Sequence, residues 1–241
     1  MKNFIQIGYD GNFFQSGVKA ALHWDYVGSP HMVVFGSTGS GKTYFSKILL
    51  GRIGLHLPKA IVTVCDFKAD DFKFLFDSPN YYAFMECTNG FNRFFDMFTA
   101  RQSGEDTCRD FRMLFFDEWA SYLNMLDKKE AELAKSKLAT LLMLGRSFNV
   151  HVCISQQRAD STYFSNGARD NFSVVLALSN ISKESKQMFF SEFKDEMLPC
   201  GRGEGYVMFN GADLKRMVVP TIRDEQKLEY YIRQALGTSG G

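Results

Sequence analysis

The chain has 241 residues, 45% hydrophobic and 15% aromatic with 24 Phe, enough apolar material for one large α/β domain with a substantial buried core. A formal net charge of +1 offers no bulk attraction for nucleic acid, so any such contact has to come from local loops or from assembly. The five cysteines (Cys65, Cys87, Cys108, Cys153 and Cys200) are odd in number and lack a C-x-x-C pair, which argues against a disulfide framework or a zinc site. They predict a reducing, cytoplasmic setting, and the absence of a run of about 18 apolar residues predicts no direct membrane insertion.

In chain order, the apolar runs around Tyr9-Asp-Gly-Asn12 predict a small β hairpin turning at Asp10-Gly11. Residues 1–30 then form an entry segment packed on a core spanning 31–236, and 237–241 (Gly-Thr-Ser-Gly-Gly) form a flexible end. The apolar run 31–35 leads into Gly36-Ser37-Thr38-Gly39-Ser40-Gly41-Lys42-Thr43, a full match to G-x-x-x-x-G-K-[ST], and a helix over 43–52 follows. This loop predicts triphosphate binding. Its glycines let backbone N–H groups converge on phosphate oxygens at a helix N-terminus, where the helix dipole also favours negative charge. Lys42 reaches the β- and γ-phosphates, and Thr43 places its hydroxyl on Mg²⁺.

Strands and helices alternate beyond the loop. Strand 60–65 precedes a helix over 69–76, a short extended piece at 81–85 and a helix over 90–101. Strand 112–116 is followed by one long helix within 119–146, and strand 149–155 comes next. Strand 173–178, a helix near 182–190, strands near 205–209 and 214–219 and a helix over 224–236 complete the chain. This order predicts a mostly parallel sheet with helices on both faces. Asn210-Gly211 predicts an antiparallel hairpin at the sheet edge, and Cys65 and Cys153 are expected as small core residues within strands.

Two acids, Asp117 and Glu118, stand at the carboxyl end of the apolar strand 112–116, where ligands of open parallel sheets bind. There Asp117 would hold Mg²⁺ and Glu118 would orient or deprotonate the attacking water. Strand 149–154 delivers Ser155-Gln156-Gln157-Arg158 to the same edge. Gln157 either senses the γ-phosphate or is an ordinary polar strand terminus. The four histidines form no metal constellation; His31 and His151 fall in or beside strands and are expected to be structural.

Several segments together resemble the FtsK/SpoIIIE branch of the FtsK–HerA translocase ATPases: 30–43, 65–68, 115–118, 144–151, 155–158 and 169–171. Their order and spacing span about residues 5 to 219. The resemblance implies a RecA-like P-loop NTPase fold that uses ATP and Mg²⁺, with Lys42 and Thr43 in the Walker A loop and Asp117 and Glu118 as the Walker B pair. Gln157 matches the glutamine of the family's Ala-Thr-Gln-Arg-Pro stretch, and Asp66 and Lys68 match its Asp-Pro-Lys element, whose task the sequence leaves open. Phe67, Gln156 and Ala159 depart from the pattern. The chain looks like a divergent motor core, similar to short FtsK-like proteins of Gram-positive mobile elements, including conjugation coupling proteins.

Such motors act as homo-hexameric rings in which a neighbour supplies an arginine to the nucleotide. Arg101 aligns best with that role, with a solvated helix-end arginine as the alternative reading and Arg146 and Arg158 as competitors. Double-stranded DNA is the implied partner, together with membrane-anchored or conjugation-complex proteins. Lys128, Lys129, Lys135 and Lys137 are one place for DNA contact, and the loop from Arg158 to Arg169 with Tyr163 and Phe164 is another. Taken alone, the lysine run reads first as an exposed helix face, because Lys/Glu mixtures at i, i+4 spacing usually mark one. A coupling ATPase that moves no DNA, or one that acts on a polypeptide in secretion, is the competing expectation.

Overall fold

The computed structural model describes residues 3–157, 160–165 and 167–238. The elements are β1 (Phe4–Asp10), α1 (Gly11–Gln15), β2 (Ala21–Asp25), β3 (His31–Phe35), α2 (Lys42–His56), β4 (Ile61–Asp66), β5 (Tyr81–Ala83), α3 (Cys87–Ser103), β6 (Arg112–Asp117), α4 (Trp119–Met125), α5 (Lys128–Leu144), β7 (Val150–Gln156), β8 (Val174–Leu178), α6 (Lys183–Phe189), β9 (Glu204–Phe209), β10 (Asp213–Val218) and α7 (Glu225–Ala235).

The described strands pair in the order β2-β1-β10-β9-β8-β3-β7-β6-β4-β5. From β8 to β5 every pairing is parallel, and from β2 to β8 every pairing is antiparallel. The central strands are buried on both faces, as parallel strands between helical layers must be. Their period-two alternation divides the core. Val33 and Phe35 join Leu114 and Phe116 beneath α3, α4 and α5, whereas Met32 and Val34 join Met113 and Phe115 on the α2 and α7 side. Gly51 and Gly54 let α7 approach α2 closely, since a Cβ on Gly54 would lie 1.9 Å from the Tyr231 carbonyl oxygen. Cys65 and Cys153 are fully enclosed in their strands.

Four expectations need correction. Asp10-Gly11 does not turn a hairpin: the Asp10 carboxylate accepts the N–H groups of Asn12 and Phe13 and caps α1, so β1 and β2 pair across a helical connection. The hairpin at Asn210-Gly211 forms as expected, but β10 pairs with β1 and therefore lies inside the sheet. The long helix divides at Leu126, whose extended backbone lets Asp127 open α5 with a capping box to Glu130. No helix forms over 69–76 beyond a 3₁₀ turn at Lys73–Leu75, because the Asp66 side chain captures the Ala69 N–H and bends the chain.

Among the described residues no helix is long and apolar enough to cross a membrane.

Candidate functional site

All the parallel strands that carry the predicted chemistry end at one edge of the sheet. Phe35 leads into residues 36–43, and Asp66, Asp117 and Ser155 lie side by side in register. Together with Arg202 and Arg223 from the later chain, these ends surround a cavity of about 690 Å³, within the usual range for a bound small molecule.

The phosphate loop keeps its shape through steric necessity. Gly41 has φ 104°, a left-handed value that side chains resist, and a Cβ on Gly36 would lie 2.4 Å from Ser40 Oγ. The loop is braced from behind by the Gly203 N–H, which donates to the Ser40 carbonyl (3.2 Å). Lys42 opens α2 and donates to the Gly36 carbonyl (2.6 Å). Burial lowers its pKa, an effect opposed by the nearby Glu118 and Asp117 carboxylates.

Asp117 is buried at the end of β6, and that burial pushes its pKa up to about 7, with Glu118 and Asp66 adding repulsion. Glu118 adopts φ 61°, an uncommon left-handed conformation for a side-chain-bearing residue, fixed by its N–H to the Ser155 carbonyl (2.8 Å). Its carboxylate is ion-paired with Lys68 (2.8 Å) and accepts from Gln157 Nε2 (3.3 Å) and Ser121 Oγ (3.3 Å). Thr43 Oγ1 is 2.7 Å from Asp71 Oδ2. Thr43, Asp71 and Asp117 line the cavity with oxygen donors, a set that fits Mg²⁺, which takes few protein ligands when phosphates supply the rest.

The sequence-predicted residues of the phosphate loop, Asp117, Glu118 and Gln157 therefore come together around one cavity. Asp71 joins them unforeseen. Its signal was weak, an acid five residues past Asp66, and only the bend at Ala69 brings it back to Thr43.

Arg101 does not join them, and its expected role at a neighbour's nucleotide is corrected. Its side chain is fully enclosed, with Nε on Asp106 (3.1 Å) and Nη1 on the carbonyls of Asp110 (3.0 Å) and Phe148 (2.8 Å). Those carbonyls lie at the amino ends of β6 and β7, opposite the phosphate loop. Arg146 is exposed in the turn before β7, and Arg158 lies outside the described residues.

The expected DNA contacts divide as well. Phe164 is core, packed on Phe172 and Phe189, and Tyr163 is held by Trp119 and Asn124. Lys135 pairs with Glu132 and Lys137 bonds Asn92, whereas Lys128 and Lys129 are exposed at the start of α5. His31 and His151 are buried at the amino edge and not at the cavity.

The RecA-like sheet, the phosphate loop and the paired acids define a P-loop ATPase. Residues 9–82 match the family described as the central domain of helicase HerA. The chain is 29% identical to the FtsK domain-containing protein YdcQ of Bacillus subtilis (strain 168), over 79% of this chain and 43% of that protein, so it spans less than half of that relative. Among solved structures, the pCW3 conjugation coupling protein TcpA, determined with ATPγS, superposes with a TM-score of 0.75 at 19% identity, over 96% of this chain and 70% of that one. The cytoplasmic domain of the Thermomonospora curvata type VII secretion ATPase EccC superposes with a TM-score of 0.68 at 20% identity, over 98% of this chain and 31% of that one. By sequence and fold, the chain is thus similar to the FtsK/HerA-type ATPases.

Proposed function

We propose that this chain is the ATP-hydrolysing core of a double-stranded DNA translocase that works as a homo-hexameric ring in DNA transfer. The observation that carries the reading is the convergence of Lys42, Thr43, Asp117, Glu118 and Gln157 on one cavity, in a chain related to an FtsK domain-containing protein. The loop N–H groups and Lys42 bind the phosphates and neutralise their charge. Thr43 and Asp117 would hold Mg²⁺, which when bound would stabilise charge on the phosphate oxygens. Glu118 orients the attacking water and accepts its proton, and Gln157, hydrogen-bonded to Glu118, reports the state of the site to the chain that follows β7.

A completed site in a ring takes an arginine from the neighbour, and Arg146 is the exposed residue among the described arginines named for that role. The exposed Lys128 and Lys129 are the remaining described lysines of the α5 cluster for touching DNA phosphates in the channel. The chain acts in the cytoplasm, recruited by a partner at a conjugation or other membrane complex.

The likeness to EccC supports a second reading, an ATPase of a conjugation or secretion complex that acts on a polypeptide without moving DNA. ATP turnover with and without duplex DNA, alongside particle mass in ATP, separates the two. The translocase reading expects DNA-stimulated turnover that falls steeply with salt, in a particle of six chains. Turnover indifferent to duplex DNA favours the second reading.

A further inference from the structure

The segment after β4 reaches into the phosphate site although it belongs to neither the glycine-rich loop nor the paired acids. Its geometry begins at Asp66, fully enclosed at the end of β4, whose Oδ1 accepts the Ala69 N–H (2.9 Å) and whose Oδ2 accepts the Tyr81 hydroxyl (3.1 Å). These bonds pin a bend in which Ala69 has φ 53°. Phe67 packs edge-on against Tyr122 on one side of the bend, at 5.8 Å between ring centroids. Lys68 is thereby turned toward the cavity, where its ammonium lies 2.8 Å from Glu118 Oε1.

That ion pair is a poor resting place for the group that must handle water. Glu118 is almost fully enclosed, and with Lys68, Gln157 and Ser121 all on its carboxylate it has little capacity left for a water molecule. Lys68, in contrast, is 46% exposed and carries a flexible four-carbon stem. Lys42 and Thr43 are held in the same manner, on the carbonyl of Gly36 and on Asp71. Both ammonium groups at the cavity, Lys42 and Lys68, thus rest on internal acceptors, a carbonyl and a carboxylate, that the phosphates of a bound triphosphate could replace.

We propose that Lys68 is a γ-phosphate ligand supplied within the same chain, and that its transfer from Glu118 to the γ-phosphate frees Glu118 to orient water. The bend built by Asp66 delivers the lysine, which gives the Asp-x-Lys element a physical task. Lys42, Lys47, Lys68, Arg202 and Arg223 all line the cavity, and among them Lys68 is the cation in direct contact with the Glu118 carboxylate. The exchange is one of charge-assisted contacts: an ammonium–carboxylate pair is replaced by an ammonium–phosphate pair.

The inference rests on the ATPase reading above, and its test separates the two. Binding of ADP and of the non-hydrolysable β,γ-imido analogue of ATP, each with Mg²⁺, is measured by calorimetry for wild type, Lys68→Ala and Lys68→Arg. Lys68→Ala should weaken the analogue by about tenfold or more, as expected for a lost contact to a charged group, and leave ADP within about twofold. Lys68→Arg should restore part of the difference. Equal effects on both nucleotides, or no effect on either, would overturn the proposal, whereas failure of the wild type to bind either nucleotide would overturn the ATPase reading instead.

A second arm uses Glu118→Gln. Removing the competing carboxylate should tighten the analogue relative to ADP, and that gain should vanish in the Lys68→Ala, Glu118→Gln double variant. A gain that persists in full without Lys68 contradicts the exchange.

Discussion

The two ends of β3, β6 and β7 both bury polar groups, and they do so in opposite ways. At the amino end, Arg101 is closed over by Asp106 and two backbone carbonyls, His31 Nδ1 accepts the Val152 N–H, and His151 stacks on Phe111 at 4.3 Å. At the carboxyl end, Lys42 bonds the backbone, Thr43 bonds Asp71 and Lys68 bonds Glu118, yet all of them face a cavity of about 690 Å³. Burial of a charge does not by itself mark a functional site. The carboxyl end is distinguished by space for a ligand, lined by Lys42, Thr43, Lys68 and the paired acids.

The sharpest test of this contrast exchanges the two kinds of lesion. Lys42→Ala should reduce ATP turnover by at least about 100-fold through loss of phosphate binding while leaving the thermal midpoint close to wild type. Arg101→Ala should do the reverse. It orphans the Asp110 and Phe148 carbonyls and should cost roughly 2–4 kcal/mol in urea unfolding, with nucleotide affinity in the folded fraction unchanged. A trans-acting Arg101 would instead show normal stability and lost turnover.

The histidine pair extends the comparison to pH. Burial lowers His31 to about 3 and His151 to about 4, with His151 repelling a proton on His31 and Arg101 repelling one on His151. Folded values below the unfolded value of about 6.5 mean that the unfolded chain binds more protons under acid conditions. The contribution of the pair is therefore fully present above about pH 6.5 and is lost as pH falls toward about 4. Thermal midpoints measured across that window should decline in wild type and decline less in His151→Gln. The smallest effect concerns a surface feature that belongs to neither end: Asp127→Ala removes the cap of α5 and should cost about 1 kcal/mol, with turnover unchanged.

Legibility in the sequence followed the distance over which each feature is encoded. The phosphate loop is eight consecutive residues with a fixed glycine pattern, and Asp117-Glu118 follows an apolar strand directly, so both stood out from local pattern alone. The parallel pairing of one half of the sheet was implied by the alternation of strands and helices, whereas the strand order was not. In contrast, the fate of Arg101 depends on backbone carbonyls from residues 110 and 148, which only the folded sheet brings together. Asp71 is close to Thr43 because of a bend set by the Asp66 side chain, and propensity over 69–76 favoured a helix instead. The division of the long helix was readable in principle, since Asp127-Lys-Lys-Glu130 is a capping-box sequence, but helical periodicity on both sides concealed it.

Glu118 is expected to serve turnover at the carboxyl end without being needed to bind nucleotide. That role is tested most directly by measuring ATP hydrolysis and ATP affinity side by side for wild type and Glu118→Gln. Glu118→Gln should bind ATP at least as tightly as wild type and lose turnover by about 100-fold or more. Turnover at the wild-type rate in that variant would contradict that role.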